Sequence, residues 1–388
     1  MDHRPVLITV VIVVALLLGV AGATAQELAP QGQPGSPDDT WHHEVVDPYG
    51  SSPWTSIALD AAGLPHVAYK GHDGQYRYSL KYARFDGITW HIESVDDEMA
   101  TGWYPSLALD SQDEPHVAYH HAHDKLVYAH YYNSTWHIQT VDSGNDVGEH
   151  ASLAVDSADL PHIAYSDETL HTVKYARRAG VTWQIATIAP MSTATQSISL
   201  DLALDSANRP HICYYDDLVD ALKHAYYDGT AWHLETVASG LSSYNGQGCS
   251  IAIDSQDMPR ITYRDLGLFY AFRDDVQWHT TEVDNDFFAG QESCLALTTD
   301  NQPRIVYSDW DYPNQDLRYA YFNGFDWEIE KADTSTQPGA RAEGVSLALD
   351  SGGSPHISYY FDVNGPPLYA WKVFPPTRWL YLPSIRSR

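Results

Sequence analysis

Three groups of residues in this chain have types and spacings that could do chemistry. The first is His120-His121-x-His123-Asp124. Only alternate residues of a strand share a face, so His121 and His123 could chelate a transition metal together. The second is four carboxylates, Asp167, Asp216, Asp265 and Asp309, each two residues after the tyrosine of a recurring Pro-x-x-x-Tyr segment. Equivalent positions in a repeat would bring them to one height, where they could hold Ca²⁺ or polarise a ligand. Capping of the local turn is the competing role. The third is a set of aromatics beside carboxylates, amides and cations: Trp103-Tyr104, Glu149-His150, Arg264-Asp265 and Asp309-Trp310. Aromatic faces stack on the CH faces of sugars while polar neighbours meet the hydroxyls. His121, His150 and Tyr104 are the residues of this set that could act as a general base. No GxSxG, HExxH, P-loop or GxGxxG pattern is present, so no motif defines a reaction.

These residues stand in a repeat. One unit reads SLALD (106–110), PHVAY (115–119), KLVYAHYY (125–132) and TWHIQTVD (135–142). Its proline recurs at Pro65, Pro115, Pro161, Pro210, Pro259, Pro303 and Pro355, and its tryptophan at Trp41, Trp90, Trp136, Trp183, Trp232, Trp278 and Trp327. Each segment has the length and the alternating or continuous apolar pattern of a strand. Asp60, Asp110, Asp156, Asp205, Asp254 and Asp350 stand five residues before the proline, with Thr298 in the sixth unit, where such side chains cap a turn. Asp86-Gly87, Asp228-Gly229 and Asn323-Gly324 mark tight hairpins. Four antiparallel strands repeated seven times predict an all-β, seven-bladed β-propeller over residues 41–374. The chain enters on a lone fourth strand, TWHHEVVD (40–47), and leaves on a third, LYAWKV (368–373). The N-terminal strand is therefore expected to complete the last blade, hiding two sheet edges.

With strands A to D in each unit, the A–B and C–D hairpins share one face. The B–C loops and the D-to-A crossings share the other. The A–B link keeps its length from unit to unit and the C–D turns are short, while the B–C loops and crossings vary in length and sequence. Varied loops on a constant scaffold carry function, so binding is expected on the crossing face.

Composition narrows the partners. The formal net charge of -29 disfavours nucleic acid and anionic membranes. The three cysteines, Cys213, Cys249 and Cys294, fall in predicted core strands and read as inert buried thiols, with a single bridge as the alternative. Asn133-Ser134-Thr135 matches a glycosylation acceptor but sits at a predicted turn. Residues 1–25 read as an export signal, with Arg4 before an apolar run and Ala23-Thr24-Ala25 as the cleavage box; an uncleaved anchor is the alternative. Residues 26–40 read as a flexible linker and 375–388 as a tail for sorting or attachment.

The units DSxxxPHxAYY and LKYAxYDGxxWxxExVD resemble those of secreted bacterial propellers of the BNR/Asp-box type, a group that includes sialidases, propeller lectins and some polysaccharide lyases. The strict Asp-box S-x-D-x-G-x-x-W is not met, since Asp86-Gly87-Ile88-Thr89-Trp90 is shorter. The resemblance implies a secreted or cell-surface monomer that recognises glycans or other extracellular ligands and needs no cofactor, with Ca²⁺ the candidate ion. A glycan-degrading lyase or hydrolase with its site at the channel mouth is the alternative. A protein-interaction scaffold is the second.

Overall fold

A computed structural model describes residues 40–374, except 51–53, 73–77, 99–100, 123–124, 145, 192–198, 243–247, 312–314, 336–338 and 362–364. The predicted export signal, linker and tail lie outside the described residues, as do His123 and Asp124.

The chain forms seven four-stranded antiparallel sheets and, among the described residues, no helix. Blade 2 is representative, with strands A to D at Trp103–Leu109, Pro115–His121, Lys125–Tyr132 and Thr135–Ser143. Blade 7 takes its A, B and C strands from Ala342–Leu349, Pro355–Phe361 and Leu368–Trp371. Its fourth strand is His42–Val45, with His42 opposite Trp371 and Val45 opposite Leu368. The expected ring closure is therefore the observed one.

Local chemistry explains the uniform hairpin face. Every B strand starts on its proline, a position where the missing N–H costs least. The aspartate before it folds the A–B turn. Asp110 Oδ1 accepts the N–H groups of Gln112 (2.8 Å) and Glu114 (2.9 Å), and Thr298 Oγ1 accepts that of Gln302 (2.9 Å) in blade 6. Asn133 and Ser134 both have positive φ, 51° and 62°, so the acceptor sequence forms a two-residue hairpin turn.

Each apolar core lies between neighbouring blades. Leu126 and Tyr128 of blade 2, for example, pack with Val147, Leu153 and Ile163 of blade 3. Fully burying such a side chain contributes about 1.5–3 kcal/mol. Each D-strand tryptophan meets the preceding blade's C-strand tyrosine edge to face, as in Tyr82–Trp136 (5.4 Å) and Tyr128–Trp183 (5.1 Å), and the closing contact is Trp90–Tyr369 (5.5 Å). Blade 4 substitutes His224 against Trp278 (5.4 Å).

The cysteine expectation is corrected. Cys213 of blade 4 and Cys249 of blade 5 are joined in a disulfide, and only Cys294 remains a thiol. Spacing could not reveal this, because 36 residues separate two cysteines that the ring brings into contact across a blade interface.

Candidate functional site

The crossing face opens into an axial cavity of about 740 Å³, lined by strand-A residues of all seven blades. The rim is one ring of equivalent positions: Trp54, Tyr104, His150, Ser199, Gly248, Glu292 and Gly344, one from each blade. Two residues further along each A strand runs a second ring, Ser56, Ser106, Ser152, Asp201, Ser250, Cys294 and Ser346. This lower ring holds the blades together. Ser106 Oγ accepts the N–H of Leu153 in the next blade (2.9 Å), and Ser346 Oγ accepts that of Ile57 (3.2 Å). Asp201 takes the serine's place in blade 4. It accepts Ser152 Oγ (2.7 Å), Ser250 Oγ (2.8 Å) and the N–H of Ile251 (2.9 Å), and burial raises its pKa despite those bonds.

The rim is asymmetric. On one side Trp54 packs on Tyr104 (4.7 Å) and Trp103 (4.9 Å), and Tyr104 packs on His150 (4.3 Å). Behind them the Lys70 ammonium lies over Trp103 (2.9 Å from the ring centre) and Tyr78 (4.4 Å), and burial lowers its pKa to about 8. Tyr104 (φ 48°) and His150 (φ 50°) are held in the left-handed region, which bulky residues occupy only where surrounding structure imposes it. A bulge in each A strand imposes it here. Gly102 and Gly148, which precede the bulged pairs, lie so close to Leu80 and Leu126 of the preceding blade that a Cβ would stand 2.8 and 2.7 Å from backbone. Burial holds both site residues in their uncharged forms: the Tyr104 pKa is raised, and that of His150 falls to about 4 with some help from His120.

The opposite side carries acids. Glu292 Oε2 accepts the N–H groups of Gly344 (2.5 Å) and Val345 (3.3 Å). Burial, then repulsion from Glu343, pushes its pKa up to about 7. Tyr360 donates its hydroxyl to Glu343. Six carboxylates line the cavity (Asp146, Glu149, Glu168, Asp201, Glu292 and Glu343), and no lysine or arginine among the described residues does.

Of the residues expected from sequence, Tyr104, Glu149 and His150 line this cavity. Trp103 backs it through Trp54. His121 is buried away from the lining, with Nε2 3.2 Å from Glu98. Arg264 is buried too and donates to the carbonyl of Phe287 (2.8 Å). Trp310 lies under the Arg341 guanidinium (4.3 Å).

The four aspartates do not converge on the cavity; each serves its own neighbourhood. Asp167 caps Leu170 (2.8 Å) and pairs with Lys174 (3.3 Å), and Asp216 accepts the N–H of Leu218 (3.2 Å). Asp265 accepts that of Ser242 (3.2 Å), and Asp309 pairs with Arg318. Burial lifts Asp309 to about 6 against the pull of that arginine. Trp54, Lys70, Asp146 and Asp201 escaped the sequence reading, although the step back from each A-strand serine would have found Trp54.

No family model matches the chain, and no curated protein does. Solved structures share its fold. An ulvan lyase of polysaccharide lyase family PL25, bound to -[GlcA(1-4)Rha3S]-, is 10% identical over 85% of this chain and 95% of its own, with a TM-score of 0.59. AofleA from Arthrobotrys oligospora is 12% identical over 77% and 91%, with a TM-score of 0.53. The fucose-recognising lectin of Aleuria aurantia, a six-bladed propeller, is 12% identical over 75% and 97%, with a TM-score of 0.50. At these identities the likeness establishes the propeller fold.

Proposed function

We propose that the protein binds a neutral or basic saccharide in the axial cavity, as an exported recognition propeller with kinship to the BNR/Asp-box group. The observation that carries this is the composition of the rim. Trp54, Tyr104 and His150 offer a stacking wall; Ser199, Gly248 and Gly344 leave room opposite; and six carboxylates supply hydroxyl acceptors, with no lysine or arginine among the described lining residues. A uronate or sulfated chain would meet like charge there. The nearness of lectin and lyase propellers in fold is consistent with a glycan ligand. Such a protein needs no cofactor, acts outside the cell or at its surface, and works as a monomer. A glycan array and calorimetry on the positive sugars test this. Tyr104→Ala should weaken binding about tenfold, or about 1.4 kcal/mol. Binding confined to anionic glycans, or unchanged in Tyr104→Ala, would sink the proposal.

One observation favours a second reading, a glycoside hydrolase. Glu292 lies beside a second carboxylate, Glu343, and near neutrality a carboxyl poised at about 7 can donate a proton to a departing glycosidic oxygen. Release of reducing ends from a bound glycan, lost in Glu292→Gln while binding persists, would establish catalysis. Binding without product returns the protein to recognition alone.

A further inference from the structure

A second constellation lies on the opposite, hairpin face, in blade 2. Asp110, His116 and His130 place one ligand-type atom each within 4.8 Å of the others. Asp110 Oδ2 is 3.5 Å from His116 Nε2 and 3.8 Å from His130 Nε2, and Glu114 Oε2 is 3.8 Å from His130 Nε2. Ligand atoms around a tetrahedral ion with bonds of about 2.0–2.1 Å stand ~3.4 Å apart, so Asp110, His116 and His130 need little adjustment, while Glu114 would swing in beside His130 as the fourth donor. We propose that Asp110, Glu114, His116 and His130 form a site for a divalent transition metal of the Zn²⁺ class, fastening the A–B turn of blade 2 to its C strand.

Three observations converge on it. The Nε2 atoms of His116 and His130 are both buried and have no hydrogen-bond partner, a condition that native interiors avoid. His116 is 1% exposed, and its Nδ1 is engaged by the Tyr128 hydroxyl (2.5 Å), which turns Nε2 toward Asp110. That is the second-sphere contact that fixes the orientation of a metal-binding imidazole. Asp110 divides its labour, with Oδ1 occupied by the turn and Oδ2 facing the imidazoles.

Comparison among blades shows what is special. The Asp–His pair recurs as a turn lock, at 3.6 Å for Asp60–His66 and 3.4 Å for Asp156–His162. The position opposite that histidine is Arg84 in blade 1, Arg177 in blade 3, Tyr226 in blade 4 and Trp371 in blade 7. Only blade 2 puts a second histidine there, stacked at 3.8 Å on the first. The residue before the proline is Leu64, Leu160, Arg209, Met258, Gln302 or Ser354 elsewhere, and glutamate only in blade 2. Two changes in one blade thus turn a generic lock into a four-donor set.

The test uses the whole exported chain, stripped with chelator and titrated with Zn²⁺ by calorimetry beside His130→Arg, which installs the residue that blades 1 and 3 carry. The chain's other histidines make the difference between the two proteins the readout. One more equivalent bound by the wild type, at least a hundredfold tighter and with a raised Tm, supports the site. Equal binding overturns it. Should His130→Arg not fold, Co²⁺ added to the wild type decides. A tetrahedral visible absorption that saturates at one equivalent and is displaced by Zn²⁺ supports the site, and its absence overturns it.

Discussion

The two faces of the ring treat the same repeat in opposite ways. On the hairpin face one position does one job over and over: Asp113, Asp159, Asn208, Asp257 and Asn301 all have φ near 60° and accept an N–H from the preceding blade's turn. On the crossing face the seven rim positions hold six different residue types. A side chain that ties one blade to the next is interchangeable with its counterparts. A side chain on the rim repeats no such contact from blade to blade, so its type can vary with what the cavity binds.

The blade interfaces sharpen the contrast. At five of them the B-strand tyrosine donates to an aspartate ending the previous blade's D strand, as in Tyr69–Asp47, Tyr119–Asp96, Tyr165–Asp142, Tyr307–Asp284 and Tyr359–Asp333. Tyr214 of blade 4 and Tyr263 of blade 5 face D strands with no aspartate at that place, which reads Ala189 and Ala238. The disulfide lies at the second of these interfaces, between blades 4 and 5.

The largest expected effect follows from that substitution of one fastening for another. Cys213→Ser should cost about 3–4 kcal/mol, the loop-entropy value for a bridge of this span. Thermal melts of the variant, and of wild type with reductant, measure it. An unchanged Tm would mean the bridge replaces nothing. Next, Tyr119→Phe strands the buried Asp96 carboxylate and should cost about 2 kcal/mol, whereas Tyr214→Phe should cost close to nothing. Equal costs would break the distinction between latched and unlatched interfaces.

A smaller effect is a pH slope. The folded-state pKa of Glu292, about 7, exceeds its unfolded value near 4.5, so between these the native state holds more protons. Glu292 therefore makes stability fall as pH rises from about 4.5 to 7. Glu292→Gln should remove that part of the slope, seen as a converging difference curve toward low pH. Identical pH profiles would return Glu292 to an ordinary surface acid. Smallest of all is Asn208→Gly. It keeps the positive φ that Gly63 and Gly353 adopt at the same place and loses only exposed hydrogen bonds, about 0.5 kcal/mol. A loss above about 2 kcal/mol would show the turn ring to be more than trim.

Much of the fold was legible because its signals are local. A proline that starts a strand, an aspartate that closes the turn before it and an Asp-Gly hairpin act within five residues, and the incomplete units at the two ends disclosed the closure. The site was legible only in part. Tyr104, Glu149 and His150 were reachable because they sit on variable crossings. His121 stands two residues past the repeating B-strand tyrosine, yet it turns to Glu98 rather than to the axis.

By itself the sequence determined the strands, their number and the closed ring, since period, turn chemistry and apolar alternation are carried by neighbours along the chain. The tertiary structure alone decided which side chains share a space. Cys213 meets Cys249, Asp201 meets Ser152 and Ser250, and His116 meets His130 because closing the ring and pairing the strands turn positions 14 to about 50 residues apart into contacts. The same closure gathers seven scattered rim residues around one cavity.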